Sequence, residues 1–597
     1  MRIKWFSMVR VTGLLLVLLY HFFKTAFPGG FIGVDIFFTF SGYLITALLI
    51  DEYAKNKKID LSGFYKRRFY RIVPPLVLMI LIIMPFTYLV RKDYVASIGS
   101  QIAAAVGFTT NFYEIITGGN YETQFIPHLF VHTWSLAIEM HFYLIWGFLV
   151  WFLGKHRDNV AKFRSLIFAV SAAFFTGSFL SMFIRAFFVD NVSTIYFSSL
   201  SHSFPFFLGA MMATMTGIRE TTARFKKNVR LWSTKRSILT MLLSFVLLLL
   251  LTFALKFDQR ITYLFGFVLA SLFTTVMIYA ARVLNDQTPN ATEPAIINYL
   301  ADVSYGVYLF HWPFYIIFTQ LMSNGLAVFV TVIFSLIFST LSYYVLEPFL
   351  AGKPVKLLGL NLDLHPYQKW LYGGGVLFGL VTIVTIIISP AVGDFETSLL
   401  VNSLQQAQTN LNRTHTVTAG DATALSDVTV IGDSVALRSS ASFSSLLPDA
   451  QVDAAVSRSF DDAFEIFQNE ISSGTLSQTT VLAVGVNSLD NYQEDLQQFI
   501  DALPDGYRLI IVTPYNANNE AQVKEVRDYE LTLADTYNYV TVADWYKAAT
   551  KHPEIWSGTD GVHYSDSDTT GADLYVKTIQ KAIEKSAKNP AKGESDS

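Results

Sequence analysis

A chain of 597 residues that is 52% hydrophobic, 15% aromatic and only 15% charged lies outside the range of soluble globular domains and is expected to cross a bilayer several times. Its formal charge of −3 gives no net pull toward nucleic acid, which is not expected as a partner, so charge matters here by position. Cysteine is absent, which excludes disulfides, thiolate metal sites and a cysteine nucleophile, and no metal site is expected.

A membrane helix needs about 20 mostly apolar residues. Segments of that kind are predicted at 9–27, 31–50, 72–90, 130–153, 165–188, 195–217, 237–255, 261–281, 303–322, 326–347 and 370–392. The first has a basic start but no small-residue cleavage site after it, so it is read as an uncleaved span. Eleven spans put the termini on opposite sides. Lys and Arg number 25 in one set of connections and six in the alternate set, so the N-terminus is expected in the cytoplasm and everything beyond residue 392 outside.

Ionisable residues inside spans are expensive in lipid and mark paths or sites. Arg10 and His21 stand eleven apart in the first span. At about 100° per residue they return to nearly one helical face, about 16 Å apart, with Arg10 at the cytoplasmic mouth. A flanking arginine and a structural histidine would look the same. In "FYKRRFYRIVPP", Arg68 and Arg71 lie three apart on one helical face at the cytoplasmic edge, suited to the phosphates of a charged donor, although positive charge there also serves topology alone. "HTWSLAIEMHFY" places Glu139 and His141 in a span, and "SYGVYLFHWPF" places His311 in another; several such groups in one bundle imply a polar cavity.

Across residues 5–350 the strings "VRVTGLLLVLLYHFF", "GFIGVDIFFTFSGYLIT", "RRFYRIVPP", "HTWSLAIEMHFYL", "VSYGVYLFHWPF" and "LEPF" resemble the acyltransferase-3 family of integral membrane acyltransferases. The resemblance implies acyl transfer from cytoplasmic acetyl-CoA to an extracytoplasmic acceptor, with His21 as the essential histidine and Arg10, Arg68 and Arg71 near the CoA. Two departures stand out: no acidic residue shortly precedes Gly13, and "IEMHFY" replaces the frequent Ile-Glu-Glu-Gln-Phe-Tyr, so His141 is assigned no role.

The expected organisation is a transmembrane domain over 1–392, a polar linker over 393–425, a soluble domain over 426–585 and a disordered tail over 586–597. In the soluble part, short β-rich runs (VTVIG, TTVLAVG, RLIIVTP, YVTVADW) alternate with helical stretches such as DDAFEIFQNEISS, which predicts a parallel sheet with helices on both faces, an α/β/α domain. Sites in such sheets form at the carboxyl ends of strands. Ser434 follows VTVIG at one such end and opens the next helix, whose backbone N–H groups suit a developing oxyanion. A nucleophilic serine needs a base and the base an orienter; "TDGVHYS" offers His563 and Asp560, and Asn487 in "VLAVGVNS" offers a further donor. Taken singly these are a turn serine, a solvated helix start and a turn asparagine. Together and in this order they nominate a catalytic set.

That set resembles the SGNH hydrolases, or GDSL-like esterases, over residues 426–585. The resemblance implies Ser434 as nucleophile, Asn487 in the oxyanion hole and Asp560 with His563 completing a triad. One departure is Ser457, which stands in "VDAAVSRSF" where the family usually has glycine. The whole chain, a polytopic helical bundle followed by an extracytoplasmic SGNH-type domain, resembles bacterial O-acetyltransferases of cell-wall polysaccharide, especially the Gram-positive peptidoglycan enzymes. It implies a multi-pass protein of the bacterial cell membrane that uses acetyl-CoA as donor, holds no permanent cofactor, and acetylates cell-wall glycan through an acetyl-serine. Another surface polysaccharide, a teichoic acid, or a membrane-anchored glycan acetylesterase are the alternatives.

Overall fold

In the computed structural model, residues 3–117, 126–155, 159–189, 191–357, 360–413, 427–489, 491–517, 519–556, 559, 561–565 and 570–594 are described. The chain divides into two compact units, Met1–Ala391 and Val392–Ser597.

The first unit is helical. Among the described residues, eight helices are long and apolar enough to cross a membrane: Gly30–Asn56, Leu61–Leu89, Val131–Gly154, Val160–Arg185, Thr234–Ala254, Thr262–Gln287, Asn324–Leu350 and Gln368–Ile388. The predicted spans near 9–27 and 303–322 are the helices Phe6–Phe22 and Ala295–Thr319. The span expected at 195–217 is not continuous: a single turn at Ser193–Tyr196 gives way to irregular chain, and a helix resumes over Phe204–Thr216. The interrupting "SSLSHS" is serine-rich, and Ser and Asn side chains bond locally to backbone in place of the helical ladder.

Lipid gives helices no hydrophobic reason to associate, so contact rests on small residues that let backbones approach. Gly42 in helix 33–56 and Gly209 in helix 204–216 make that contact. A Cβ on Gly42 would lie 1.9 Å from the Phe206 carbonyl oxygen, and one on Gly209 would lie 2.0 Å from that of Thr39. Helix 234–254 shows the same logic on one element. Ser237, Met241, Ser244, Leu248 and Thr252 form its buried stripe, while Leu243, Leu250 and Phe253 face outward and are more than half exposed. Two of its buried hydroxyls return to their own helix, Ser244 donating to the Thr240 carbonyl at 2.9 Å and Thr252 to that of Leu249 at 2.7 Å, while Ser237 reaches across to Gln287 Oε1 at 2.9 Å on the neighbouring helix. After helix 324–341 come a short antiparallel pair, β1 (Val355–Leu357) with β2 (Leu360–Leu362), and helix 368–388.

The second unit begins with a helix, Asp394–Arg413, where a polar tether was expected. Its sequence is polar but free of Gly and Pro, so nothing in it breaks a helix once one face is covered. Five parallel strands follow: β3 (Val428–Gly432), β4 (Gln451–Ala454), β5 (Thr479–Ala483), β6 (Arg508–Val512) and β7 (Val540–Ala543), ordered β4-β3-β5-β6-β7. Every residue of β3 is buried, as a central parallel strand requires. Phe460, Phe467 and Phe499 form much of the core on one face, and helix Thr570–Ser586 packs against β6 and β7. Because β4 and β5 lie on opposite sides of β3, the order reverses there, and the crevice at the carboxyl ends of β3 and β5 is the place where such sheets build sites.

The tail expected to be disordered from residue 586 is ordered through Glu594. Lys592 donates from its backbone to Tyr507 O at 2.9 Å and from Nζ to the carbonyls of Ile500 and Leu503 at 2.8 and 2.6 Å, while Ala591 is 2% exposed. With Asp501 O, 3.1 Å from Nζ, these make three carbonyls at the end of helix Tyr492–Ala502 that are otherwise short of donors, which explains why a lysine-containing segment stays.

Candidate active sites

In the second unit the turn from β3 into helix Ser434–Arg438 brings Ser434 to the strand's end. Gly432 leaves no room for a side chain, since a Cβ there would lie 2.3 Å from Ala436 Cβ. Asp433 caps the helix by accepting the Val435 N–H at 2.9 Å. Ser434 Oγ lies 2.8 Å from His563 Nε2, with the two residues 2% and 1% exposed. The residue after the histidine fixes this geometry: Tyr564 donates its hydroxyl to Val435 O at 3.3 Å, pairs with Ser439 Oγ, and accepts Arg438 Nε at its carbonyl at 3.1 Å. The loop bearing His563 is thereby tied to the helix bearing Ser434. A buried hydroxyl bonded to an imidazole in this way is arranged for nucleophilic attack with the imidazole taking the proton.

Burial pushes the Asp433 carboxyl up to about 6, against the pull of the Val435 N–H and the neighbouring His563. Asp560, nominated as the orienter of His563, lies outside the described residues. Asn487 follows β5, and its amide donates to the Arg458 carbonyl at 3.3 Å.

Arg458 was not singled out in the sequence, yet it ties the crevice together. Its guanidinium donates to Gly432 O at 3.1 Å, to Asp453 O at 2.5 Å and to Asp453 Oδ1 at 2.6 Å, linking the ends of β3 and β4 to the loop that meets Asn487. Just before it, Ser457 adopts φ 56°, the left-handed conformation glycine takes most easily. The backbone geometry that a glycine would supply is present with a serine in place.

In the first unit Arg10, Arg68 and Arg71 line one cavity enclosing about 890 Å³, its open mouth included. Arg10 comes from helix 6–22, and the other two come from helix Leu61–Phe86. Ser41, Glu139 and Tyr143 share the lining, and both hydroxyls bond to Glu139 Oε1. Arg68 Nε is buried without a hydrogen-bond partner, so the cavity wall presents a cationic donor with spare capacity. This arrangement suits an anionic group.

His21 does not line that cavity. It sits in the last turn of helix 6–22, where its Nδ1 lies 2.7 Å from Nε2 of His311, a residue 0% exposed. The two rings lie edge to edge, 19° from coplanar with 5.0 Å between centroids, and the ring of Trp312 lies 4.7 Å from that of His21. His311 and the cavity-lining Tyr308 are one turn apart on helix 295–319. Tyr308 in turn bonds Ser135 Oγ at 2.6 Å and donates to His132 O at 2.7 Å. His141 is elsewhere, with Nδ1 3.0 Å from Ser199 Oγ and its ring stacked on Phe112. His132 and Tyr308 escaped notice in the sequence; the spacing of Tyr308 and His311 within "YGVYLFH" was the available signal.

An acyltransferase-domain family model matches residues 3–346. The O-acetyltransferase OatA of Staphylococcus aureus strain MRSA252 is 27% identical over 94% of this chain and 94% of its own length. A putative O-acetyltransferase of the same strain is 26% identical over 93% of each. Among solved structures, the C-terminal catalytic domain of the Streptococcus pneumoniae peptidoglycan O-acetyltransferase A (OatA), carrying a methylsulfonyl adduct, is 39% identical and covers 28% of this chain and 97% of that one, with a TM-score of 0.27.

Proposed function

This chain belongs to the acyltransferase family whose domain spans residues 3–346, and from that premise we propose that it O-acetylates cell-wall glycan, taking acetyl groups from cytoplasmic acetyl-CoA and delivering them outside through an acetyl-serine. The similarity to O-acetyltransferase OatA along nearly the full length of both chains supports this reading, and peptidoglycan, named for the pneumococcal relative, is the first acceptor to test.

The lysine and arginine asymmetry of the connections supports a cytoplasmic N-terminus and an external second unit. Arg10, Arg68 and Arg71 hold the CoA phosphates in their shared cavity, Arg68 with an unused donor. His21 draws the acetyl group from the thioester onto an acetyl carrier: the carrier's nucleophile gives its proton to His21 as it bonds to the acetyl carbon, the acetyl–sulfur bond breaks, and CoA leaves as the free thiol with that proton. Outside, Ser434 Oγ attacks the acetyl carbonyl while its proton passes to His563 Nε2; the acetyl carrier leaves and takes up that proton. A sugar hydroxyl then attacks the acetyl-serine, gives its proton to His563, and Ser434 departs with it. Asp560 holds the imidazole tautomer, and the Asn487 amide, swung from the Arg458 carbonyl, donates to the oxyanion.

The observation that carries the reading is the 2.8 Å contact between Ser434 Oγ and His563 Nε2. Its test is mass spectrometry of wall glycans from cells expressing the parent or Ser434→Ala. Loss of glycan acetate in the variant is expected; acetate unchanged from the parent would remove Ser434 from the reaction.

A further inference from the structure

His21 is a nucleophile or base only through a nitrogen with a free electron pair, and which nitrogen that is depends on the partner of the other. His311 settles the matter by a chain of donors. Its Nδ1 lies 2.7 Å from the Tyr308 carbonyl and 3.1 Å from that of Val307, and carbonyls only accept, so Nδ1 carries the hydrogen. His311 is 0% exposed, its hydrogen-bond partners among the described residues are these two carbonyls and His21, and its other neighbours there are the rings of Phe22, Tyr308 and His132, none of which offsets a positive charge, so the ring is neutral and its Nε2 is an acceptor. His21 Nδ1, 2.7 Å away, must then be the donor. The electron pair of His21 is left on Nε2.

We propose that His311 is the positioning residue of His21: by accepting the Nδ1–H it holds the ring in the tautomer that keeps the electron pair on Nε2, the nitrogen with which His21 acts on the thioester. The pairing rests on the reading of His21 as the group that draws acetyl from the thioester. The hydrogen bond holds the His21 ring within 19° of the His311 plane, and Trp312 lies on another side, so ring rotation is restrained as well as protonation. Trp312 is itself anchored by its indole N–H on His128 O at 3.1 Å.

The test compares His311→Gln, whose amide oxygen can accept the same hydrogen, with His311→Leu, which cannot. Full-length protein in vesicles is given acetyl-CoA and a glycan acceptor, and kcat and KM for acetyl-CoA are measured. Leucine should lower kcat on the order of 10²- to 10⁴-fold with KM for acetyl-CoA within about twofold, as expected for a misdirected tautomer. Glutamine should recover activity to within about tenfold of the parent. Retained KM in the leucine variant reports an intact bundle; if leucine collapses it, the glutamine variant alone decides. A glutamine variant as inactive as His21→Ala, or a leucine variant as active as the parent, would overturn the assignment. His21→Ala run alongside separates the two ideas: acetylation surviving that change defeats the reading of His21, whereas its loss beside an active His311→Leu defeats only the role of His311.

Discussion

Both units bury a histidine against another polar side chain, but they gather its surroundings by opposite routes. In the second unit Ser434, Arg458 and Asn487 stand just past β3, β4 and β5, so the pleated register of one sheet delivers them to a common edge. In the first unit the arginine cavity and the His21 pair draw on helices 6–22, 33–56, 61–86, 134–154 and 295–319, each contributing along its length. A sheet concentrates chemistry because strand ends align. A bundle spreads it, and each buried polar group then needs its own partner, as Glu139 finds in Ser41 and Tyr143 and His311 in two backbone carbonyls.

The sharpest break between the units is a pair of variants. Ser434→Ala should lower both glycan acetylation and hydrolysis of a synthetic acetyl ester on the order of 10³-fold or more. His21→Ala should lower acetylation comparably while ester hydrolysis stays at the parental rate, and hydrolysis lost with His21 would show that one site depends on the other for more than supply.

A smaller effect belongs to the second unit alone. With its carboxyl at about 6 in the fold and near 3.8 in an unfolded chain, Asp433 favours the folded state when protonated, and that contribution is lost as pH rises through 6. The loss approaches about 3 kcal/mol at pH 8. Asp433→Asn keeps an oxygen for the Val435 N–H, so its melting temperature relative to the parent should climb between pH 4 and pH 8; a constant difference would remove the carboxyl from the balance. Arg458→Ala should cost about 2 kcal/mol, below the figure for a fully buried pair because Asp453 reaches solvent at 39%. Denaturant unfolding of the second unit measures it, and ester hydrolysis should slow as the loop that meets Asn487 loses its ties to the ends of β3 and β4. In the bundle, Arg68→Ala should raise KM for acetyl-CoA roughly tenfold, the worth of one charge-assisted hydrogen bond, and a KM unmoved would assign the cavity to another ligand.

The same contrast explains what could be read from the chain in advance. Apolar runs locate a helix at every expected span, since length and hydropathy are local properties, but the break before Phe204 depends on serines whose backbone bonding no hydropathy window records. Ser434 and His563 were legible because each follows a short, recognisable turn, and the fold brings them to 2.8 Å. Arg458 was not, being one arginine in a loop with no repeating pattern around it. The meeting of His21 with His311 spans 290 positions and only the packed bundle reveals it. The ordered tail escaped for a similar reason: its composition is that of a flexible end, and its anchors are carbonyls of a distant turn.

Those anchors have a practical reach. A secreted version of the second unit trimmed at residue 585, where sequence composition invites the cut, would strip Lys592 from the carbonyls of Ile500 and Leu503 and Asn589 from Arg508 and Thr541, opening the lower rim of β6 and β7 to solvent. Affinity handles and reporters therefore belong after Glu594, and a soluble enzyme that keeps those last few residues should express better and resist surface proteases longer than one shorn of them.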